Sequence, residues 1–333
     1  MMKHFDHTPT YHCVTGSLRD IYGYYGHPLS EELLLGLGEG VGFIYWHQKG
    51  QPPFIGGRAT PKPSLEELVG LRTGVKVTAH TTASKPRAES AMIELLKSDN
   101  PVMIQVDMGF LPYFDFQGVD YHFGGHVVVV CDYDETSRQV TIADRDEKLY
   151  RVSLDDVAKA RGSTFKPFPP QNRWLTFDFS QKRQPTKDEI NTAICNQADL
   201  MLNPPISNIG VKGIRKTAKL MPEWGSIMTQ EELKWALFNA YIFISPVGGS
   251  GGGTFRYMFS RFLAEASDLA DNPKLVACAD EFCQAGDAWE EVGEWCKETS
   301  EKLPANLSPL RAMINKVADV EEHAWSHLCD AIS

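Results

Sequence analysis

The sequence contains no run of about 18 apolar residues, the length at which a helix begins to be able to cross a bilayer, and the opening stretch MMKHFDHTPTYHC holds no apolar core of signal-peptide length. Both absences point to a cytoplasmic protein. Positive charge is not in excess either: 33 Lys and Arg against 43 Asp and Glu leave a net charge of −10. Nucleic acid and anionic membranes attract proteins through a dominant positive field, so neither is expected as a partner. No CxxC pair occurs, and Cys278 with Cys283 has no second cluster at zinc-finger spacing, so no structural metal is expected. Seven cysteines, an odd number scattered through a long chain, read as free thiols rather than a disulfide framework. There is no internal repeat, and no low-complexity tract beyond the glycine run at 248–253.

What is present is the composition of a globular protein, 42% hydrophobic and 23% charged. The 333 residues suit two domains, each large enough for its own core. The first half mixes helices and strands. Helical patterns occupy the stretch after Cys13, SEELLLGLGEG, 64–74 and 85–100, with Ser64 and Ser84 as caps. VGFIYWHQKG leads into a Gly/Pro-rich segment that reads as loop. Four β-branched segments follow, at 101–108, 126–134, 138–146 and 149–153, and predict a small, largely antiparallel sheet. Segments 165–174 and 181–189, rich in proline and charge, read as connections, which puts a domain boundary near 180. Beyond it, helical periodicity covers 186–203, 210–222, 229–244, 254–270, 273–299 and 308–331. The expected fold class is α+β: a domain over 1–180 with an antiparallel sheet and a helical domain over 181–333.

Cys13 stands where the first amphipathic pattern begins, with Val14, Leu18, Ile21 or Tyr22, and Tyr25 at helical intervals. The first turn of a helix has unpaired N–H groups and a dipole that favours negative charge, which suits a thiolate. A nucleophilic thiol also needs a base. GGHVVVVCDYDETSRQVTIAD supplies one in His126, which opens a strand, while Asp144 closes the next. In an antiparallel hairpin these ends lie together. A loop centred on Glu135 sets 144 opposite 126, so that Asp144 can orient the imidazole. A two-residue loop sets Arg145 there instead, a poor partner for a base. The sequence leaves both registers open. Cys, His, Asp is the chain order of papain-like enzymes.

HTPTYHC followed by LRDIYGYYGHPLSEELLLGLGEGVGFIY resembles the opening of the butirosin-biosynthesis protein H family, whose N-terminal domain resembles the bacteriocin-processing cysteine peptidases. GGHVVVVCDYD, VTIADRD and VSLDDVAKA fit the same domain, and GGSGGGTFRYMFSRFLAEAS resembles the domain of unknown function that follows it. The resemblance implies a papain-like N-terminal domain and an acyl transfer from a carrier-protein or coenzyme A thioester to an amine of a small molecule. Cys13 would be the nucleophile, His126 the base and Asp144 its orienting partner, with a pantetheine-linked donor and no further cofactor. A hydrolase using the same three residues is the alternative, and a noncatalytic binding protein on the same shell stands behind both.

Papain-like enzymes place an oxyanion-binding glutamine six residues before the cysteine. His7 stands there, so His7 or the Cys13 backbone N–H is the expected donor. His12 is expected beside the site or on the surface rather than in the chemistry. YFDFQGVDYHF, with Tyr121 and His122, could line an acceptor-amine pocket through cation–π and charge attraction, or form a loop pinned by a buried aromatic. His122 could also compete with His126 as base, but the glycines between them place it on a loop. The glycine run with Arg256 could hold a pantetheine phosphate, although a close-packed interhelical turn accounts for it as well. It lacks the GK[ST] ending of a nucleotide loop. The basic stretch KGIRKTAK could dock an acidic carrier protein or form a solvated face.

Overall fold

The computed structural model of the protein describes residues 5–48, 50–60 and 62–332. In chain order its elements are α1 (Cys13–Tyr24), α2 (Glu31–Leu37), β1 (Val41–Trp46), β2 (Phe54–Arg58), α3 (Leu65–Thr73), β3 (Lys76–His80), α4 (Lys85–Lys97), β4 (Val102–Val106), β5 (His126–Asp134), β6 (Gln139–Ala143), β7 (Leu149–Ser153), α5 (Leu154–Arg161) and β8 (Trp174–Asp178). The helices α6 (Lys187–Leu202), α7 (Gly210–Leu220), α8 (Trp224–Ile227), α9 (Gln230–Ile244), α10 (Arg256–Ala270), α11 (Lys274–Ser300) and α12 (Pro309–Ile332) complete the chain. This is an α+β protein with a sheet-containing first part and a helical second part. Among the described residues no helix is long and apolar enough to cross a membrane.

The chain forms two compact units. One holds the residues up to Leu34 together with Thr73–Arg183, the other Leu35–Arg72 and everything from Gln184 onward. The boundary expected near 180 falls beside the last passage between them. The segment Leu35–Arg72, placed by sequence with the first half, belongs to the helical unit.

The first unit is built on a six-stranded antiparallel sheet in the order β3-β8-β4-β5-β6-β7. Alternation along the strands gives it two apolar faces. Val102, Ile104 and Val106 with Val128, Val130, Ile142 and Val152 pack beneath Met92 and Leu96 of α4 and Val157 of α5. Ile21 of α1 packs with Val129 and Ala143. Ser84 caps α4 by accepting the Arg87 N–H, and the Ser153 hydroxyl does the same for Asp156 in α5.

Two of these strands escaped the sequence reading. β3 has a half-exposed pattern without a clean apolar face, and β8 follows directly on the proline-rich segment. What makes them strands is long-range pairing: Leu175 sits between Ala79 and Met103, and Trp174 stacks on His80 at 4.9 Å. β2 corrects the loop expected there. FIGGR pairs with β1, and Gly57 fits because a Cβ would stand 2.3 Å from the Thr254 side chain.

The helical unit follows its periodicity closely. Thr186 with Glu189 and Thr229 with Glu232 form capping boxes that start α6 and α9. The face of α10 read from sequence, Phe255, Met258, Phe259, Phe262, Leu263 and Ala266, is buried, with Phe282 and Trp325 against Phe259 at 4.8 and 5.0 Å.

Candidate active site

The site is assembled at the start of α1. Cys13 is the first residue of that helix and is half-buried, while Val14, Leu18, Ile21 and Tyr22 anchor the helix inward. The helix has no side-chain cap from His12 and no acid in its first turn. Glu31, a buried carboxylate, instead holds the approach: it accepts the Tyr11 N–H at 3.0 Å, the His12 N–H at 3.1 Å and the Thr15 hydroxyl at 3.1 Å. Burial raises its pKa, and those donors, with Arg19, pull it back only in part. Gly16 lets Thr10 lie against the helix, since a Cβ there would meet the Thr10 side chain at 2.4 Å. The residues before Cys13 are therefore fixed by their own contacts.

His126 opens β5 and is buried. Its Nε2 faces Oδ2 of Asp144 at 2.8 Å and Oδ1 at 3.0 Å. With Nε2 so occupied, Nδ1 remains for the hydrogen bond between the imidazole and the Cys13 thiol. Burial opposes charge on all three groups, and their mutual interactions outweigh it. The Cys13 thiol is lowered by the hydrogen bond and charge of His126, then by Arg145 and the Val127 N–H. The His126 imidazole is raised to about 10 by the charge and hydrogen bond of Asp144, then by Cys13. Asp144 is lowered by His126, the Tyr113 hydroxyl and the Arg145 N–H. The arrangement favours a thiolate beside an imidazolium, with the carboxylate behind it.

Neither hairpin register expected from the sequence occurs. Residues 135–138 form a four-residue turn, organised by Asp134, whose carboxylate accepts from Thr136, Ser137 and Arg151. Next to that turn 134 pairs with 139 and 132 with 141, but beyond a bulge at Cys131 the pairs are 130 with 142 and 129 with 143. Continued by one residue, this register sets Asp144 beside Val128, and the carboxylate reaches His126 along the diagonal.

The remaining expected site residues lie elsewhere in their networks. His7 is not placed as an oxyanion donor. Its Nδ1 meets Oδ2 of Asp20 at 2.6 Å and its Nε2 the Asp146 carbonyl at 2.6 Å. Both partners only accept, so both nitrogens donate and the ring is an imidazolium. Burial works against that charge, but the hydrogen bond and charge of Asp20 and the Asp146 carbonyl raise its pKa on balance. His12 is buried, its N–H on Glu31.

His122 lies on the loop between β4 and β5, with Nδ1 on Asp107 at 2.9 Å, Nε2 on Asp120 at 3.2 Å and its ring stacked on Phe165 at 3.4 Å. Asp107, fully buried, also accepts from Ser163, Gly109 and Phe123, so His122 is committed to holding this loop. Tyr121 packs against Phe116 at 4.7 Å in the same loop.

Arg256 corrects a further expectation. It belongs to the helical unit and is fully buried, with Nε on Oε1 of Glu321 at 2.6 Å, Nη2 on Oε2 at 3.0 Å, and Nη1 on the carbonyls of Gly42 and Thr254. A guanidinium so occupied has no fork left for phosphate. The glycine run is a close-packed turn in which Glu290 already takes the Gly253 N–H at 2.6 Å.

Two residues of the site were not singled out by sequence. Tyr113 donates to Oδ2 of Asp144 at 2.8 Å, and Phe114 sets its ring edge-on to His126 at 5.7 Å. Only the aromatic richness of 113–123 pointed to that loop. Among the described residues no group of three His, Cys, Asp or Glu side chains is placed to hold a metal ion.

Comparison with known families gives two adjacent matches. Residues 12–145 match the model for the N-terminal part of butirosin biosynthesis protein H, and residues 155–328 match a domain of unknown function (DUF4872). No curated protein matches the chain.

Proposed function

The chain belongs to the family that joins the butirosin biosynthesis protein H N-terminal domain to this domain of unknown function, and on that premise we propose that it is a biosynthetic acyltransferase. The acyl group comes from a pantetheine-linked thioester, on a carrier protein or coenzyme A, and passes through Cys13 to an amine of a small molecule. The observation that carries this reading is His126 held between Asp144 and the Cys13 thiol. We also read the first unit as papain-like, because a nucleophile helix lies with a histidine and an acid from an antiparallel sheet.

The steps balance with these groups. The Cys13 thiolate attacks the thioester carbon, and the developing oxyanion is met by the Cys13 N–H at the first turn of α1. The tetrahedral intermediate collapses by breaking the bond to pantetheine sulfur, which takes the proton of His126. The acyl-Cys13 carbon is then attacked by the amine. Neutral His126 removes the amine proton, Cys13 leaves as thiolate, and the amide departs with the pair restored. Asp144 keeps the imidazole oriented throughout and stabilises its charged form.

Intact-mass spectrometry of the wild type and Cys13→Ala with a panel of acyl thioesters tests the proposal. An adduct on the wild type alone, discharged by polyamines or aminoglycosides to an amide, is the expected result. Discharge by water alone would make the protein a hydrolase. No adduct from any donor would overturn both.

A further inference from the structure

Asp144 is gripped by more donors than the orientation of His126 requires. The Tyr113 hydroxyl donates at 2.8 Å to Oδ2, the same oxygen that His126 Nε2 meets at 2.8 Å, while the Arg145 N–H takes Oδ1 at 2.8 Å. Tyr113 is itself held: its ring stacks on Tyr150 at 4.0 Å with the planes 13° apart, and the Tyr150 hydroxyl donates to Asp146. The next residue, Phe114, covers His126. One dipeptide of the loop between β4 and β5 thus touches both members of the pair.

We propose that Tyr113 is a positioning residue of this site: its hydroxyl fixes the Asp144 carboxylate and divides that carboxylate's charge between itself and His126. The proposal rests on the reading of Cys13, His126 and Asp144 as the reacting machinery. Two donors on one carboxylate oxygen compete for its electron density, so each draws less from it than it would alone. Without Tyr113, Asp144 would pull harder on the imidazolium. A His126 that held its proton more tightly would be a slower acid toward the leaving thiol. Burial and the Asp144 charge push the Tyr113 hydroxyl well above its usual range, so it stays a donor throughout the working pH range.

Among the described residues, charged and titratable groups act on the pair from α1, from the end of β6 and from the loop between β4 and β5. Cys13 faces His126 from α1, and Asp144 and Arg145 follow β6, with the Arg145 charge acting on Cys13. Tyr113 comes from the loop, and Tyr150 and Asp146 lie behind it. Of the two tyrosines, only Tyr113 bonds Asp144.

The test is an NMR titration of the His126 ring in the full-length protein, with the pH dependence of Cys13 alkylation beside it. In Tyr113→Phe the His126 titration is expected to move up by about half a pH unit or more. In Tyr150→Phe, which keeps the ring and loses only the bond to Asp146, it is expected to stay in place. Replacing Tyr113 with 3,5-difluorotyrosine keeps ring and hydroxyl, strengthens the donor, and is expected to move the titration down. This second variant decides the matter if Tyr113→Phe does not fold. A His126 titration unmoved by either change at Tyr113 overturns the proposal. None of these readouts needs an acyl donor, so a failure of acyl transfer appears separately, as a missing adduct on Cys13.

Discussion

Asp144 meets His126 on the diagonal of the β5–β6 ladder and not straight across it. The turn-side register pairs 132 with 141, and without the bulge at Cys131 it would bring 144 opposite 129, on the other side of the pleat from His126. The extra residue shifts the ladder to pair 129 with 143. Asp144 then falls in step with Val128, one diagonal from His126 and within reach of it. Cys131, buried with its thiol on the Thr141 carbonyl at 3.5 Å, is thus a parity device for the site.

Deleting Cys131 is expected to join the two stretches of the ladder without shifting either: 132 opposite 141 is then followed directly by 130 opposite 142, and Asp144 stays in step with Val128. The His126 titration should therefore stay raised and acylation of Cys13 should keep close to the wild-type rate, whereas Asp144→Asn should slow it about 100-fold or more. Parallel measurement of both variants checks this; a deletion variant as slow as Asp144→Asn would show that the pairs on the two sides of Cys131 do not set the place of the acid.

The pH window of Cys13 follows from the two shifts. Its thiol is held below the ordinary thiol range, and His126 is raised to about 10. The reactive pair therefore exists from the lowered thiol pKa up to about 10 and is lost below it as sulfur takes a proton. Above it the acid for the leaving group is lost. Iodoacetamide alkylation of the wild type should begin below the ordinary thiol range, and in His126→Ala it should move up toward that range. Superimposable profiles would mean that the two groups are not coupled.

His7 is expected to act on stability. Its folded pKa is raised, so its contribution is fully present below the unfolded value of about 6.5 and is lost as pH rises through the folded one. His7→Gln should be destabilised by about 1–2 kcal/mol at pH 5.5, with a smaller deficit at pH 8.5. Denaturant unfolding of both proteins at the two pH values reads the difference, and a deficit that grows with pH would contradict the imidazolium assignment.

Arg256 is expected to behave as a buried ion-pair partner. Glu321 also accepts from the indole N–H groups of Trp289 and Trp325, at 2.7 and 2.8 Å. Arg256→Met would leave that carboxylate buried without its cation, at a cost of about 3–5 kcal/mol in unfolding free energy. Inorganic phosphate should shift the melting temperature of wild type and variant equally. Selective protection of the wild type would reinstate an anion site at Arg256.

Much of this molecule is legible in the order of its residues. Helical periodicity is local, so α6, α7 and α9 through α12 follow from patterns such as Phe255, Met258, Phe259 and Phe262 and from caps such as Thr186 and Thr229, while the four-residue α8 lies between the helical stretches read from sequence. The sequence also singled out Cys13, His126 and Asp144, because a thiol at a helix start and two residues at facing strand ends are recognisable as types in places. It assigned His7 and Arg256 less well. A histidine or an arginine states what it can donate, and only its neighbours state where the donation goes: Asp20 and the Asp146 carbonyl for His7, Glu321 for Arg256. Strands β3 and β8 are of the same kind, since their pairing partners lie far away in the chain. The sequence by itself determined the longer helices, the α+β class and the residues able to do chemistry, because these depend on periodicity and side-chain type. Tertiary structure alone decided the side of the pleat on which Asp144 lies, the partners of His7 and Arg256, and the grip of Tyr113 on the acid, because register and hydrogen-bond saturation arise between segments distant in sequence.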